Sequence, residues 1–305
     1  MRTITALAIA VAAGSAPTAL AQVLYDNGPT ITTPTGACIP AGSTSSQLQT
    51  VGTVTNGDLG IGHMLSSSAN QRIADDFTIA NPSGWTISTI DFLDYQTMAP
   101  TTASPISAIN LRIWNGQPGS ANATVIFGDT TTNRLVSSVF ASEYRISGTC
   151  DLRRGLFRST VTVDVSLPPG TYWVDWQAIG SPNFSGPWSP TVTIVGALSK
   201  PGSNSIQSMD PSQPWTPVVD EGPPPSTNPP IPQDLPFVIH GVVTCLANCD
   251  QSSADPILNA NDFQCFLNKF ASADPSANCD GSTSPPVLNA NDFQCFLNLF
   301  AAGCS

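Results

Sequence analysis

Between residues 22 and 243 the apolar positions recur with a period of two. Ile109, Leu111 and Ile113 alternate with Asn110 and Arg112, and Val161, Val163, Val165 and Leu167 alternate with Thr160, Thr162, Asp164 and Ser166. That period places one set of side chains on each face of a half-buried strand. Pro168-Pro169-Gly170 then marks a turn, and the aromatic run 171–178 comes next as a strand. Further strands are predicted over 71–79, 85–96, 123–127, 135–140, 191–195 and 237–243. Many short strands separated by turns predict an antiparallel β-sandwich or jelly roll. Near the C-terminus the period changes. Phe263, Phe266, Leu267 and Phe270 fall at i, i+3, i+4 and i+7, as do Phe293, Phe296, Leu297 and Phe300. Each set forms one face of an amphipathic helix, and neither helix buries its stripe alone, so the two are expected to pack on each other.

The organisation of the chain adds three expectations. Arg2, the apolar run 4–13 and the small-x-small site Ala19-Leu20-Ala21 read as a secretory signal peptide over 1–21. The run is too short to span a bilayer, and no other segment is long and apolar enough, so a secreted, extracellular or cell-surface protein with no membrane span is expected. Residues 22–243 form the β domain. Residues 211–236 contain ten prolines in 26 positions. They read as a long excursion that returns through strand 237–243, or alternatively as an interdomain linker with that strand belonging to the C-terminal module.

Residues 248–275 and 278–305 are a tandem duplication, identical at 18 of 28 aligned positions, so each copy is one structural unit. Ahead of each helix lies a loop dense in oxygen donors. The first offers Asp250, Ser252, Ser253, Asp255, Asn259 and Asp262, and the second Asp280, Ser282, Thr283, Ser284, Asn289 and Asp292. Such donors suit a hard cation such as Ca²⁺; the alternative is that Asn and Asp cap the helices and form turns, with disulfides holding the fold. The chain has eight cysteines, an even number that argues for disulfides in an exported protein. Cys38 and Cys150 are expected to pair in the β domain. Cys249 and Cys265, and Cys279 and Cys295, share a separation of 16 around each loop and are paired on that ground, which leaves Cys245 with Cys304. A cross-link between the copies, Cys249 to Cys295, is the alternative.

The duplicated loop and helix, with Leu-Asn-x-x-Asp before each helix, resembles a dockerin of the cysteine-bearing GC type over about residues 245–305. The resemblance implies two calcium loops, each followed by a helix like half an EF-hand, and attachment to a cohesin-like or other extracellular protein through 244–305. Repeats are expected over 248–277 and 278–305. Departures weaken the calcium reading: each loop has one extra residue, Pro256 and Pro286 stand where a glycine turn is usual, and Pro285 replaces the acid of Asp255. Calcium is therefore expected in the first copy more than in the second. The β domain resembles uncharacterised secreted proteins with such a tail, through 73–87, 109–116, 125–135 and 167–178, and that likeness implies no activity.

Charge and composition exclude more than they assign. Ten basic against 21 acidic residues give −11, so a nucleic-acid partner is not expected. Only two Glu and two His, Glu143, Glu221, His63 and His240, are present. Adjacent Asp75 and Asp76 point to opposite strand faces, as do Asp91 and Asp94, so neither is a good glycosidase pair. Asp164 and Asp175 read as a solvated face. Of the six Trp, Trp114 and Trp188 are read as exposed near loops, where an indole could stack on a sugar, and Trp173 or Trp176 as core. The leading expectation is a secreted, non-catalytic binding and anchoring protein. The alternative is a carbohydrate-active protein, a polysaccharide-binding module or glycoside hydrolase, tethered by the same tail.

Overall fold

A computed structural model describes residues 21–33, 39–81, 83–147, 151–210, 212–223, 229–243, 245–250, 252, 256–282 and 285–303. Cys38, Cys150, Ser253, Asp255, Thr283, Ser284 and Cys304 lie outside the described residues, as do the expected signal peptide through residue 20 and the pairings of Cys38 with Cys150 and of Cys245 with Cys304. Chain contacts define two units, Ala21–Thr244 and the segment from Cys245 onward.

The first unit is a sandwich of two sheets. Its principal strands are β1 (Gln22–Asp26), β2 (Thr44–Gln47), β3 (Arg72–Ile79), β4 (Trp85–Thr97), β5 (Ile106–Trp114), β6 (Val125–Gly128), β7 (Leu135–Ile146), β8 (Gly155–Leu167), β9 (Gly170–Gly180), β10 (Ser185–Ser189), β11 (Ile206–Ser208) and β12 (Phe237–Val243). One sheet runs β1-β12-β4-β8-β7-β2, with β10 also paired to β4 and His63–Met64 paired to β10. The other runs from Thr216–Pro217 through β11-β3-β9-β5-β6. Neighbours pair antiparallel except β7 with β2, which are parallel. β12 lies between β1 and β4, so the strand after the proline-rich excursion belongs to the sandwich.

The period-two residues do what their spacing predicts. Ile109, Leu111 and Ile113 of β5 and Val161 and Val163 of β8 face the space between the sheets and are 1% exposed or less. There they meet Val174 and Trp176 of β9. Phe92 stacks on Trp176 at 4.4 Å between ring centroids, and Phe237 meets Trp176 edge-on at 6.2 Å. Each such side chain contributes about 1.5–3 kcal/mol on burial. The alternation in β8 is interrupted where Asp164 adopts a left-handed backbone, φ 52°, and the register with β4 shifts between Thr162 and Val165. A bulge of this kind re-aims the side chains beyond it, and Val165 is only half-buried.

The predicted strand 191–195 does not form. Val192 N–H donates to Asp234 O at 2.8 Å and Thr193 N–H to Pro29 O at 2.8 Å, single bonds to two different segments rather than a ladder. This segment helps to enclose Arg145, which is fully buried. Its guanidinium donates to the carbonyls of Ile61 (3.1 Å) and Gly60 and to the hydroxyls of Ser46, Thr191 (2.8 Å) and Thr193. Burial pulls its pKa down to about 10.

In the C-terminal unit, helices α1 (Ala260–Ala271) and α2 (Ala290–Ala302) pack through their phenylalanines. Phe266 stacks on Phe296 at 4.2 Å, and Phe263 meets Phe293 edge-on at 5.8 Å. Leu267, placed on the same stripe by its spacing, is 36% exposed: the aromatic rings fill the seam and leave the i+4 leucine at its edge. Cys249 is bonded to Cys265 and Cys279 to Cys295, with Cα separations of 5.7 and 5.8 Å. Cys245 is also disulfide-bonded. Among the described residues no helix is long and apolar enough to cross a membrane.

Candidate functional site

The two repeats build the same loop-to-helix junction. Asn259 caps α1 by accepting Asn261 N–H at 2.8 Å, and Asn289 caps α2 through Asn291 N–H at 2.8 Å. Three residues on, Asp262 reaches back: one oxygen accepts Asn259 N–H at 2.8 Å and the other Asp250 N–H at 3.2 Å. Asp292 does the same with Asn289 and Asp280 at the same distances. Both carboxylates are fully buried. An acid at the third helical position also suits the positive end of the helix. Asp250 and Asp280 accept Ser252 and Ser282 N–H at 2.9 Å each. Those bonds, with the adjoining carboxyl of Asp262 or Asp292, hold the Asp250 and Asp280 pKa values below the usual carboxylate range.

The fold thus brings together Asp250, Ser252, Asn259 and Asp262 in one copy and Asp280, Ser282, Asn289 and Asp292 in the other. Asn248 and Asn278, absent from the donors expected from sequence, belong to the same junctions. Each donates its amide to a backbone carbonyl, Ser252 O or Ser282 O, at 2.9 Å. The Oδ1 atom of each is buried with no hydrogen-bond partner among the described residues, as is Ser252 Oγ. The repeated Asn-Cys-Asp was the signal that could have found them. Asp262 beside Asp250, and Asp292 beside Asp280, thus lie next to these unclaimed buried oxygens. Among the described residues no three acidic, His or Cys side chains gather as a metal cluster.

In the sandwich the carboxylates separate by face. Asp75 points inward and accepts Asn27 Nδ2 at 2.7 Å and Leu235 N–H at 2.9 Å; burial, then Asp234, raises its pKa. Asp91 lies on the outer face of the first sheet, taking Thr160 Oγ1 at 2.7 Å, with His240 Nε2 at 3.1 Å. Asp94 points inward, fully buried, and burial pushes its pKa up to about 7. Glu143 is buried near Asp91 and Arg158 in a crevice of about 180 Å³, and burial raises its pKa. His63 is buried with Nδ1 3.3 Å from Gln207 Oε1, and burial lowers its pKa to about 4. Among the described residues neither imidazole has a serine hydroxyl within hydrogen-bond distance.

Asp175 corrects the sequence reading. Asp164 is exposed, but Asp175 is fully buried. It accepts Arg72 on one oxygen, and on the other Arg112 Nε at 2.9 Å and the Trp114 indole N–H. β3, β5 and β9 lie side by side in the second sheet, so their outward residues cover one another. Arg72 also donates to Asn110 Oδ1 at 2.7 Å and to Gln177. Burial lowers the Arg72 pKa, and Asp175 opposes that shift.

Above this network lies a cleft of about 530 Å³ lined by Arg72, Arg112, Trp114, Gln213 and Trp215, among others. Trp114 and Trp215 are half-buried and pack against Ala74, Trp173 and Ile206. Gly119, at φ 86°, lets its loop lie close to Trp215: a β-carbon there would stand 3.2 Å from the indole. Of the Trp assignments from sequence, that of Trp188 is revised. Trp176 is core, Trp173 is buried on the opposite face beneath the cleft, and Trp188 packs against the Leu48, Leu93 and Leu156 cluster instead of standing free. Trp215, in the proline-rich stretch, joins Trp114 at the cleft. The chain matches no family model, no curated protein and no solved structure.

Proposed function

We propose that this is a secreted, non-catalytic binding protein whose C-terminal repeat attaches it to another extracellular protein, of cohesin-like type. The observation that carries this reading is the matched pair of exposed helix faces. Gln264 Nε2 donates to Asn268 Oδ1 at 3.0 Å on α1, and Gln294 to Asn298 at 3.0 Å on α2. Two copies of one polar face offer a partner two equivalent docking surfaces. Calcium in the first loop, held by Asp250, Asp255, Asn259 and Asp262, would rigidify the entry to α1; the second loop, through Asp280, Asn289 and Asp292, would hold it more weakly. The test compares export and extracellular retention of the full chain with a chain lacking 244–305. Loss of retention with unchanged export is expected. Equal retention of both chains removes the anchoring role.

A second reading, a polysaccharide-binding module tethered by the same tail, is supported by the cleft at Trp114 and Trp215. Indole faces offer apolar area to the C–H faces of sugar rings, and the cleft volume lies in the range of ligand sites.

A further inference from the structure

The cleft on the second sheet has a feature that a neutral sugar does not require. Two guanidiniums, Arg72 and Arg112, converge on the single carboxylate of Asp175. Arg72 is fully engaged: its donors go to Asp175, Asn110 and Gln177, and its side chain is 5% exposed. Arg112 is not. It gives Nε to Asp175, its side chain is 21% exposed, and neither terminal nitrogen is hydrogen-bonded to a described residue. The Trp114 ring lies 4.8 Å from its guanidinium carbon, which fixes the plane of the fork. The nearby acid Asp129 adds a second negative charge that acts on Arg72, but its oxygens are turned to other donors. Its two oxygens accept the N–H and hydroxyl groups of Thr131 and Thr132. A guanidinium whose two terminal nitrogens no described residue claims therefore stands against Trp114 in a cleft that Trp215 also lines.

We propose that the cleft binds an acidic polysaccharide, a sugar ring stacking on Trp114 or Trp215 while its carboxylate takes the free prongs of Arg112. The inference rests on the second reading above and narrows its ligand to uronate-bearing chains. Arginine is suited to this task because its fork matches a carboxylate in two parallel hydrogen bonds, which lysine cannot reproduce. The buried Arg72–Asp175 pair underneath holds the fork in place without using its outer nitrogens.

The test measures binding of the full chain to polygalacturonate and to alginate by calorimetry, each alongside the same polymer with its carboxyl groups reduced to alcohols. At least one acidic polymer is expected to bind, and its reduced form to bind about tenfold more weakly. Arg112→Lys, which keeps the charge but loses the fork, is expected to weaken the acidic polymer about five- to tenfold and leave the reduced one unchanged. Trp215→Ala touches none of the Asp175 partners; it is expected to weaken both forms by about tenfold or more. Thermal melts establish that each variant is folded. Equal binding of acidic and reduced polymers, with Trp215→Ala still damaging, overturns the acidic ligand and leaves a sugar-binding module. Binding to none of the polymers overturns both.

Discussion

In the sandwich, Trp176, Phe92, Phe157 and Phe77 are buried between or against the two sheets, each at most 1% exposed. In the C-terminal unit the described buried apolar side chains are Ala247, Phe266, Ala277 and Phe296 alone. The two units meet the entropy of folding by different means. A large core grows with chain length, whereas a unit of about 60 residues buries too little surface and needs staples. Here the staples are the disulfides Cys249–Cys265 and Cys279–Cys295, each tying a loop to the middle of the helix after it. For a closed loop of this length, each contributes about 3 kcal/mol. Reduction with dithiothreitol is therefore expected to unfold the C-terminal unit and leave the sandwich intact. Hydrogen exchange read residue by residue separates the two. Protected amides persisting in 260–271 and 290–302 after complete reduction would show that the phenylalanine seam suffices without staples.

The sandwich has its own exception to apolar burial, and it supplies the next largest effect. Arg145 is enclosed with no hydrogen bond to a carboxylate among the described residues; carbonyls of Gly60 and Ile61 and three hydroxyls take its protons. Its removal orphans several buried acceptors at once, in a cluster that fastens 56–66 over the sheet. Arg145→Ala is expected to cost about 3–5 kcal/mol, read from urea midpoints. The C-terminal unit should keep its exchange protection in that variant. A cost under about 1 kcal/mol would mean that the loop is held by its apolar contacts.

How far the sequence discloses this molecule depends on the same division. β5, β8, β9 and β12 announce themselves because apolar residues recur along them between clear turn signals. β2 does not: Thr-Ser-Ser-Gln has no apolar residue, and it is held by a parallel edge pairing with β7 and by a hydroxyl buried against Arg145. The helices and the junction of Asn259 with Asp262 are legible because capping is local, spelled within four residues. The cleft is not, because it depends on which strands become neighbours. Asp175 alternates with core residues just as a solvated acid would, and only the adjacency of β3 and β5 to β9 delivers Arg72 and Arg112 to it. Trp215 sits among prolines where no periodicity exists to place it.

A pH-dependent effect separates the units again. Asp94 faces the sandwich interior, and neither carboxyl oxygen meets a hydrogen-bond partner among the described residues. Burial raises its pKa to about 7, above the value of about 3.9 it has in an unfolded chain. The folded state therefore holds the proton more tightly. Its contribution is fully present below about pH 4 and is lost as pH rises toward 7. Asp94→Asn is expected to raise the sandwich Tm by about 5 °C at pH 8 and hardly at all at pH 4. A gain that is the same at both pH values would show that the carboxyl is solvated and does not titrate with folding.

The smallest effect distinguishes the two repeats from each other. Their capping junctions are alike to within 1° in backbone angles, φ −150° and ψ −174° at Asn259 against −151° and −174° at Asn289. Without a cation, Asn259→Ala and Asn289→Ala should cost the same, about 1 kcal/mol each, since each removes one cap. Calcium changes the expectation. The first loop carries Asp255 where the second has Pro285; one carboxylate fewer weakens a site for a hard cation. Added Ca²⁺ should therefore stabilise the C-terminal unit by RT ln(1 + [Ca²⁺]/Kd), about 2.7 kcal/mol at a hundredfold excess over Kd. Asn259→Ala or Asp255→Ala should erase most of that gain, and Asn289→Ala little of it. Melting of the C-terminal unit in full-length variants, monitored by helix circular dichroism with EDTA and with millimolar Ca²⁺, reads both numbers. Equal costs with no calcium response would leave the junctions as caps and the disulfides as the sole staples, while a response abolished equally by Asn259→Ala and Asn289→Ala would mean that both loops bind and that Pro285 is no impediment.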